Sequence, residues 1–148
     1  MKKLLLIPLM LLFVGCGKSS SINKYFPDSR WPKTDVQTFS VDVTADGIPQ
    51  LGVLFSFVSG PQFTDIPLSI GITAPDGSTQ FVSIVLDLTG KAQGSNLDCA
   101  GDVCDLHTVL KNTALTKGTN TITIQNNFKG QYLPNVLALG VEVKAVEE

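Results

Sequence analysis

Over most of this chain the apolar residues recur at every second position, and that period fixes the class of fold. Phe39, Val41, Val43 and Ala45 alternate with Ser40, Asp42 and Thr44. Leu68, Ile70 and Ile72 alternate with Ser69, Gly71 and Thr73, and Val82, Ile84, Leu86 and Leu88 with Phe81, Ser83, Val85 and Asp87. A strand turns successive side chains to opposite faces, so this is the pattern of strands that bury one face. Residues 51–58 form a mostly apolar strand candidate, with further candidates at 106–110, 121–125 and 136–145. Asp46-Gly47-Ile48-Pro49, Ser59-Gly60-Pro61 and Thr116-Lys117-Gly118 punctuate them. In Pro75-Asp76-Gly77 the proline presets φ and the glycine accepts positive φ, which predicts a hairpin between the strands on either side. The spacing predicts about seven strands in an all-β domain. The expected architecture is an antiparallel β-sandwich, with a partly open β-barrel as the alternative.

The N-terminus carries a different signal. Lys2 and Lys3 precede an apolar run over residues 4–14, broken only by Pro8 and closed by Gly15 and Cys16. A charged start, a short apolar stretch and a small residue before the cleavage point make a secretory signal peptide. The run is shorter than the ~20 apolar residues that span a bilayer. Phe13-Val14-Gly15-Cys16 resembles the lipobox of bacterial lipoproteins, with Phe13 where leucine is usual. The resemblance implies cleavage before Cys16 and acylation of that cysteine. One acyl chain anchors only marginally, so stable attachment needs the two or three that such lipoproteins carry. Residues 1–15 are therefore read as signal peptide, 16–24 as lipidated cysteine and flexible tether, and 25–148 as the domain. Gly17, Lys18, Ser19, Ser20 and Ser21 suit a tether. With no acidic residue after Cys16, the expected location is the cell envelope, at the outer membrane and facing the periplasm.

Cleavage leaves 133 of the 148 residues, enough for one domain with a core of its own. It also takes the formal charge from −2 to −4, because Lys2 and Lys3 are lost. An acidic chain without a basic cluster makes nucleic acid a poor partner. Of the three cysteines, Cys99 and Cys104 remain. Export to an oxidising compartment makes a disulfide their default state, pinning a tight turn through Gly101 and Asp102.

Residues 90–105 read as the longest irregular connection, and long loops often carry function. The candidate interaction residues are Asp98, Asp102, Asp105 and His107, together with Trp31. Closely spaced carboxylates suit calcium, but the spacing is not that of an EF-hand, and an acidic loop braced by a disulfide is the plainer reading. Zinc on Cys99, Cys104 and His107 competes with oxidation of the thiols. No metal and no cofactor is expected. His107 is the only histidine, and no Gly-x-Ser-x-Gly elbow accompanies it, so no catalytic residue is assigned. Trp31 suits either a sugar-stacking surface or the closed end of a sandwich, the second being the plainer. The polar-aromatic stretch from Asn126 to Tyr132 reads as a solvated loop that could hold a ligand.

Several segments occur together in a recognisable order: Tyr25, Trp31-Pro32-Lys33-Thr34-Asp35-Val36, the turn Thr73-Ala74-Pro75-Asp76-Gly77, and Gly90 and Gly94 leading to Gly101-Asp102-Val103-Cys104-Asp105-Leu106. They close with Leu133-Pro134-Asn135-Val136-Leu137-Ala138-Leu139-Gly140-Val141-Glu142-Val143. In this order, behind a lipobox, the chain resembles the gliding-motility lipoprotein GldH family from about Tyr25 onward. The resemblance implies a non-enzymatic, membrane-anchored part of the gliding and secretion machinery, working through contacts with other envelope proteins. An envelope glycan- or ligand-binding β-sandwich is the alternative.

Overall fold

The computed structural model describes residues 22–44, 48–60, 63–113 and 115–146. The signal segment, Cys16, residues 17–21 of the tether, Pro61 and the Asp46-Gly47 turn lie outside them. The chain is all-β, and the described residues form eleven strands: β1 (Ile22–Tyr25), β2 (Arg30–Pro32), β3 (Gln37–Val43), β4 (Ile48–Val58), β5 (Asp65–Thr73), β6 (Thr79–Asp87), β7 (Ser95–Ala100), β8 (Val103–Leu110), β9 (Gly118–Asn126), β10 (Tyr132–Pro134) and β11 (Val136–Val146). One sheet has the order β1-β11-β4-β8-β7 and the other β3-β9-β5-β6, while β10 and β2 form a two-stranded ribbon. Every pairing is antiparallel.

Alternation explains how the two large sheets meet. Leu51, Val53, Phe55 and Phe57 of β4 are buried, as are Leu139 and Val141 of β11 and Leu106 and Leu110 of β8. From the other sheet come Phe39, Val41 and Val43 of β3, Ile122 and Ile124 of β9, and the run Ile66, Leu68, Ile70 and Ile72 of β5. These side chains belong to one hydrophobic cluster between the sheets, which makes the molecule a β-sandwich with no closed barrel. Burying each Leu, Ile, Val or Phe contributes about 1.5–3 kcal/mol, so this interior is the main source of stability.

The short ribbon closes one end. Trp31 of β2 and Leu133 of β10 are cross-strand partners and both are fully buried. Asn126, buried at the end of β9, donates from Nδ2 to the carbonyl oxygens of Trp31 and Pro32 at 3.2 and 3.3 Å. The predicted hairpin is β5–β6, with Gly77 at φ 87° and the amides of Gly77 and Ala74 bonded across the turn.

Four sequence expectations change. The tether expected over residues 16–24 is shorter, because Ile22–Tyr25 pairs with β11 as an edge strand. Residues 90–105 were read as loop, yet 95–100 form β7 and pair with β8. The loop expected from Asn126 to Tyr132 ends in a strand, since residues 132–134 pair with β2. The described residues form eleven strands rather than about seven, the extra ones being short or at an edge.

Candidate functional site

The outer face of the five-stranded sheet carries two complete rows of side chains. One row runs Asn23, Gly140, Leu54, His107, Asn96 across β1, β11, β4, β8 and β7; the next runs Tyr25, Ala138, Ser56, Asp105, Asp98. The second row is small in the middle, at Ala138 and Ser56, and in the first Gly140 stands beside Leu54. The result is a groove of about 350 Å³ with Leu54, Ser56 and Ala138 as its floor, Asn23 and Tyr25 as one wall and Asp105 and His107 as the other.

Glycine makes this relief possible. A Cβ on Gly140 would lie 1.9 Å from Asn23 Oδ1 and 2.9 Å from the Ile22 carbonyl oxygen, so only glycine lets β1 lie this close with Asn23 folded across it. A Cβ on Gly52 would lie 2.7 Å from Cγ of Glu142, its cross-strand neighbour on β11. Glu142 is thereby laid flat and is only 8% exposed. Its Oε1 is 3.1 Å from Lys144 Nζ and 3.9 Å from His107 Nδ1, so a cation and an imidazole face the buried carboxylate.

Ser56 donates its hydroxyl to the carboxylate of Asp105, its cross-strand partner on β8. Asp98 and Asp105 are direct cross-strand partners, an arrangement of like charges that costs stability. Tyr25 is 76% exposed, so its ring is a free apolar platform beside acceptors and donors.

The sequence-derived candidates divide. Asp98, Asp105 and His107 come together on the outer face. Asp102 sits apart at the tip of the β7–β8 hairpin, where its carbonyl accepts the Ser59 amide at 2.7 Å. Cys99 and Cys104 form a disulfide one pair below that tip, so neither sulfur is a free thiolate for zinc. Among the described residues no three His, Cys, Asp or Glu side chains converge in a way that could hold a metal ion. Trp31 does not belong to an interaction surface: it is 0% exposed, its ring stacks on Phe26 at 5.7 Å, and its Nε1 donates to the Asp35 carbonyl at 2.7 Å. Tyr132 packs beneath the Arg30 guanidinium, 4.7 Å from the ring centre. Near it, Phe63 and Phe128 meet at 4.8 Å beside a second, more open hollow of about 400 Å³ lined also by Asp65, Asn127 and Lys129.

Asn23, Tyr25 and Ser56 line the groove without standing out in the sequence. Their one signal is the run of small residues at outward positions of the central strands, Gly52 and Ser56 on β4 and Ala138 and Gly140 on β11. No family model matches the chain, and no curated protein matches it.

Proposed function

We propose that this chain is a bacterial envelope lipoprotein, anchored through Cys16, that acts without catalysis by holding an envelope partner in the groove of its five-stranded sheet. The carrying observation is the groove itself: an exposed Tyr25 beside Asn23 on one wall, Asp105 and His107 on the other, and Leu54, Ser56 and Ala138 as the floor. The lipobox pattern supports the anchor. Only five residues separate Cys16 from Ile22, and a chain reaches at most roughly 3.6 Å per residue. The groove wall formed by Asn23 and Tyr25 therefore stays within about 32 Å of the acylated cysteine. Confinement at a membrane raises local concentration, so a modest groove suffices for stable docking. The resemblance to the GldH family assigns the process, gliding motility and its associated secretion, and makes the partner a protein of that machinery.

The test is cross-linking in living cells followed by affinity capture. Gliding or secretion components recovered with the wild type, and lost with both Cys16→Ala and Tyr25→Ala, support the reading. Recovery unchanged by Tyr25→Ala contradicts the groove, and normal motility in Cys16→Ala contradicts the anchor.

A second reading has one observation in its favour. An open tyrosine ring beside carboxylate, amide and imidazole groups is also what a sugar ring needs, the apolar face stacking while hydroxyls find donors and acceptors. Saturable calorimetric binding of peptidoglycan fragments or envelope polysaccharide, lost in Tyr25→Ala, would establish that reading in place of a protein partner.

A further inference from the structure

β6 is the outer strand of the four-stranded sheet and, among the described residues, pairs only with β5. Exposed sheet edges offer unpaired backbone groups to other strands, and proteins blunt them with charges, proline or bulges. The other edge strands of the two large sheets carry such a charge: Lys24 in β1, Asp98 in β7 and Asp42 in β3. β6 reads Thr-Gln-Phe-Val-Ser-Ile-Val-Leu-Asp, with no proline and no charge before its last residue. It pairs with β5 through nine residues in unbroken register. On its outer face Phe81 is 81% and Val85 61% exposed, and on the inner face Val82 and Ile84 are only half-buried.

The hydrogen-bond alternation shows which groups are free. Ala74 donates to the Ser78 carbonyl at the turn, and Leu88 donates to the Thr64 carbonyl at the far end. In an antiparallel ladder bonded pairs alternate with non-bonded ones, so the even-numbered residues of β6 bond to β5. Pro67, which has no amide hydrogen, fits this by standing opposite Val85. The amides and carbonyls of Thr79, Phe81, Ser83, Val85 and Asp87 therefore point away from the sheet.

We infer that β6 is the contact through which two copies of this chain associate, edge to edge and antiparallel about a two-fold axis at Ser83. The strand is complementary to itself in that register. Ser83 meets Ser83 of the second copy in a bonded pair, and Phe81 meets Val85, Val85 meets Phe81. On the inner face Val82 meets Ile84, which continues both cores across the seam. Thr79 meets Asp87, whose carboxylate can accept the hydroxyl. Aromatic with β-branched residues are favourable cross-strand pairs, and two-fold symmetry makes each occur twice. The two four-stranded sheets become one of eight strands, and the groove on the opposite sheet of each copy stays open.

The experiment is sedimentation of the full chain in detergent, with Val85→Lys and, as a control on the opposite edge of the same sheet, Thr38→Lys. The expected result is a dimer whose dissociation constant rises about tenfold or more in Val85→Lys, because two Phe–Val pairs are lost at once, and is unchanged in Thr38→Lys. Ser83→Cys, read on a non-reducing gel of cells, should give a disulfide-linked pair, since bonded partners lie about 5.5 Å apart at Cα. A single copy at every concentration with no Ser83→Cys dimer overturns the inference. So does a dimer that Val85→Lys leaves intact, or an edge occupied by a strand of another protein.

Discussion

Trp31 belongs to the core of this domain. Replacing it with alanine removes a fully buried indole, its stacking on Phe26 at 5.7 Å and the Nε1 bond to the Asp35 carbonyl at 2.7 Å. Deleting a buried Trp from a core costs about 3–5 kcal/mol. The hydrogen bond adds little beyond that, because Asp35 is exposed and water can reach its carbonyl. A loss of about 4 kcal/mol is a large part of the roughly 5–15 kcal/mol that holds a domain folded. For a chain of this size it lowers the melting temperature by about 10–20 °C. Trp31→Phe keeps a ring against Phe26 and should lose only about 1–2 kcal/mol. The assay is urea unfolding followed by far-ultraviolet circular dichroism, with partner capture measured on Trp31→Phe below its transition. A Trp31→Ala domain as stable as the wild type, or a Trp31→Phe domain that folds but loses its partner, would refute the assignment of Trp31 to the core.

Further outcomes follow from the same geometry. Gly140→Ala forces a methyl against Asn23 and the Ile22 carbonyl, so it should cost about 1–3 kcal/mol and strip hydrogen-exchange protection from the Ile22–Tyr25 amides while leaving β4 protected. Asp98→Asn relieves the like-charge pair with Asp105 and should stabilise the domain by about 0.2–1 kcal/mol, more at low salt, as urea titrations would report. Asp76 accepts bonds from the Ser78 hydroxyl and amide, which hold its carboxyl below the ordinary 3.8. A depressed folded value means the stabilisation is complete above the unfolded value of about 3.8 and disappears as pH falls through the lower folded one. Carbonyl NMR should show the Asp76 midpoint below 3.8 in the wild type and moved upward in Ser78→Ala.

The strands legible in the sequence are those with two buried neighbours or a strong turn. β5 and β6 alternate cleanly about Pro75-Asp76-Gly77, and β11 repeats apolar residues over its whole length. β7 escaped notice because at a sheet edge it sends only Leu97 and Cys99 towards the core while Asn96 and Asp98 face outward. Flanking Gly90, Gly94 and Gly101, all at positive φ, made it look like a loop. β1, β2 and β10 are three or four residues long, too short for any period to register. One half of the groove was visible as Asp105 and His107, because those residues are close in sequence. The other half was not, because Tyr25 and Asn23 reach the groove only through the pairing of β1 with β11, more than a hundred residues away.

The central claim is that the partner lies in the groove, and a photo-reactive amino acid placed there tests it most directly. Substituted for Tyr25 and activated in living cells, it should give a specific adduct with an envelope component, while the same group at exposed Thr38 on the opposite sheet should not. Adducts of equal yield from both positions, or from Thr38 alone, would contradict the account.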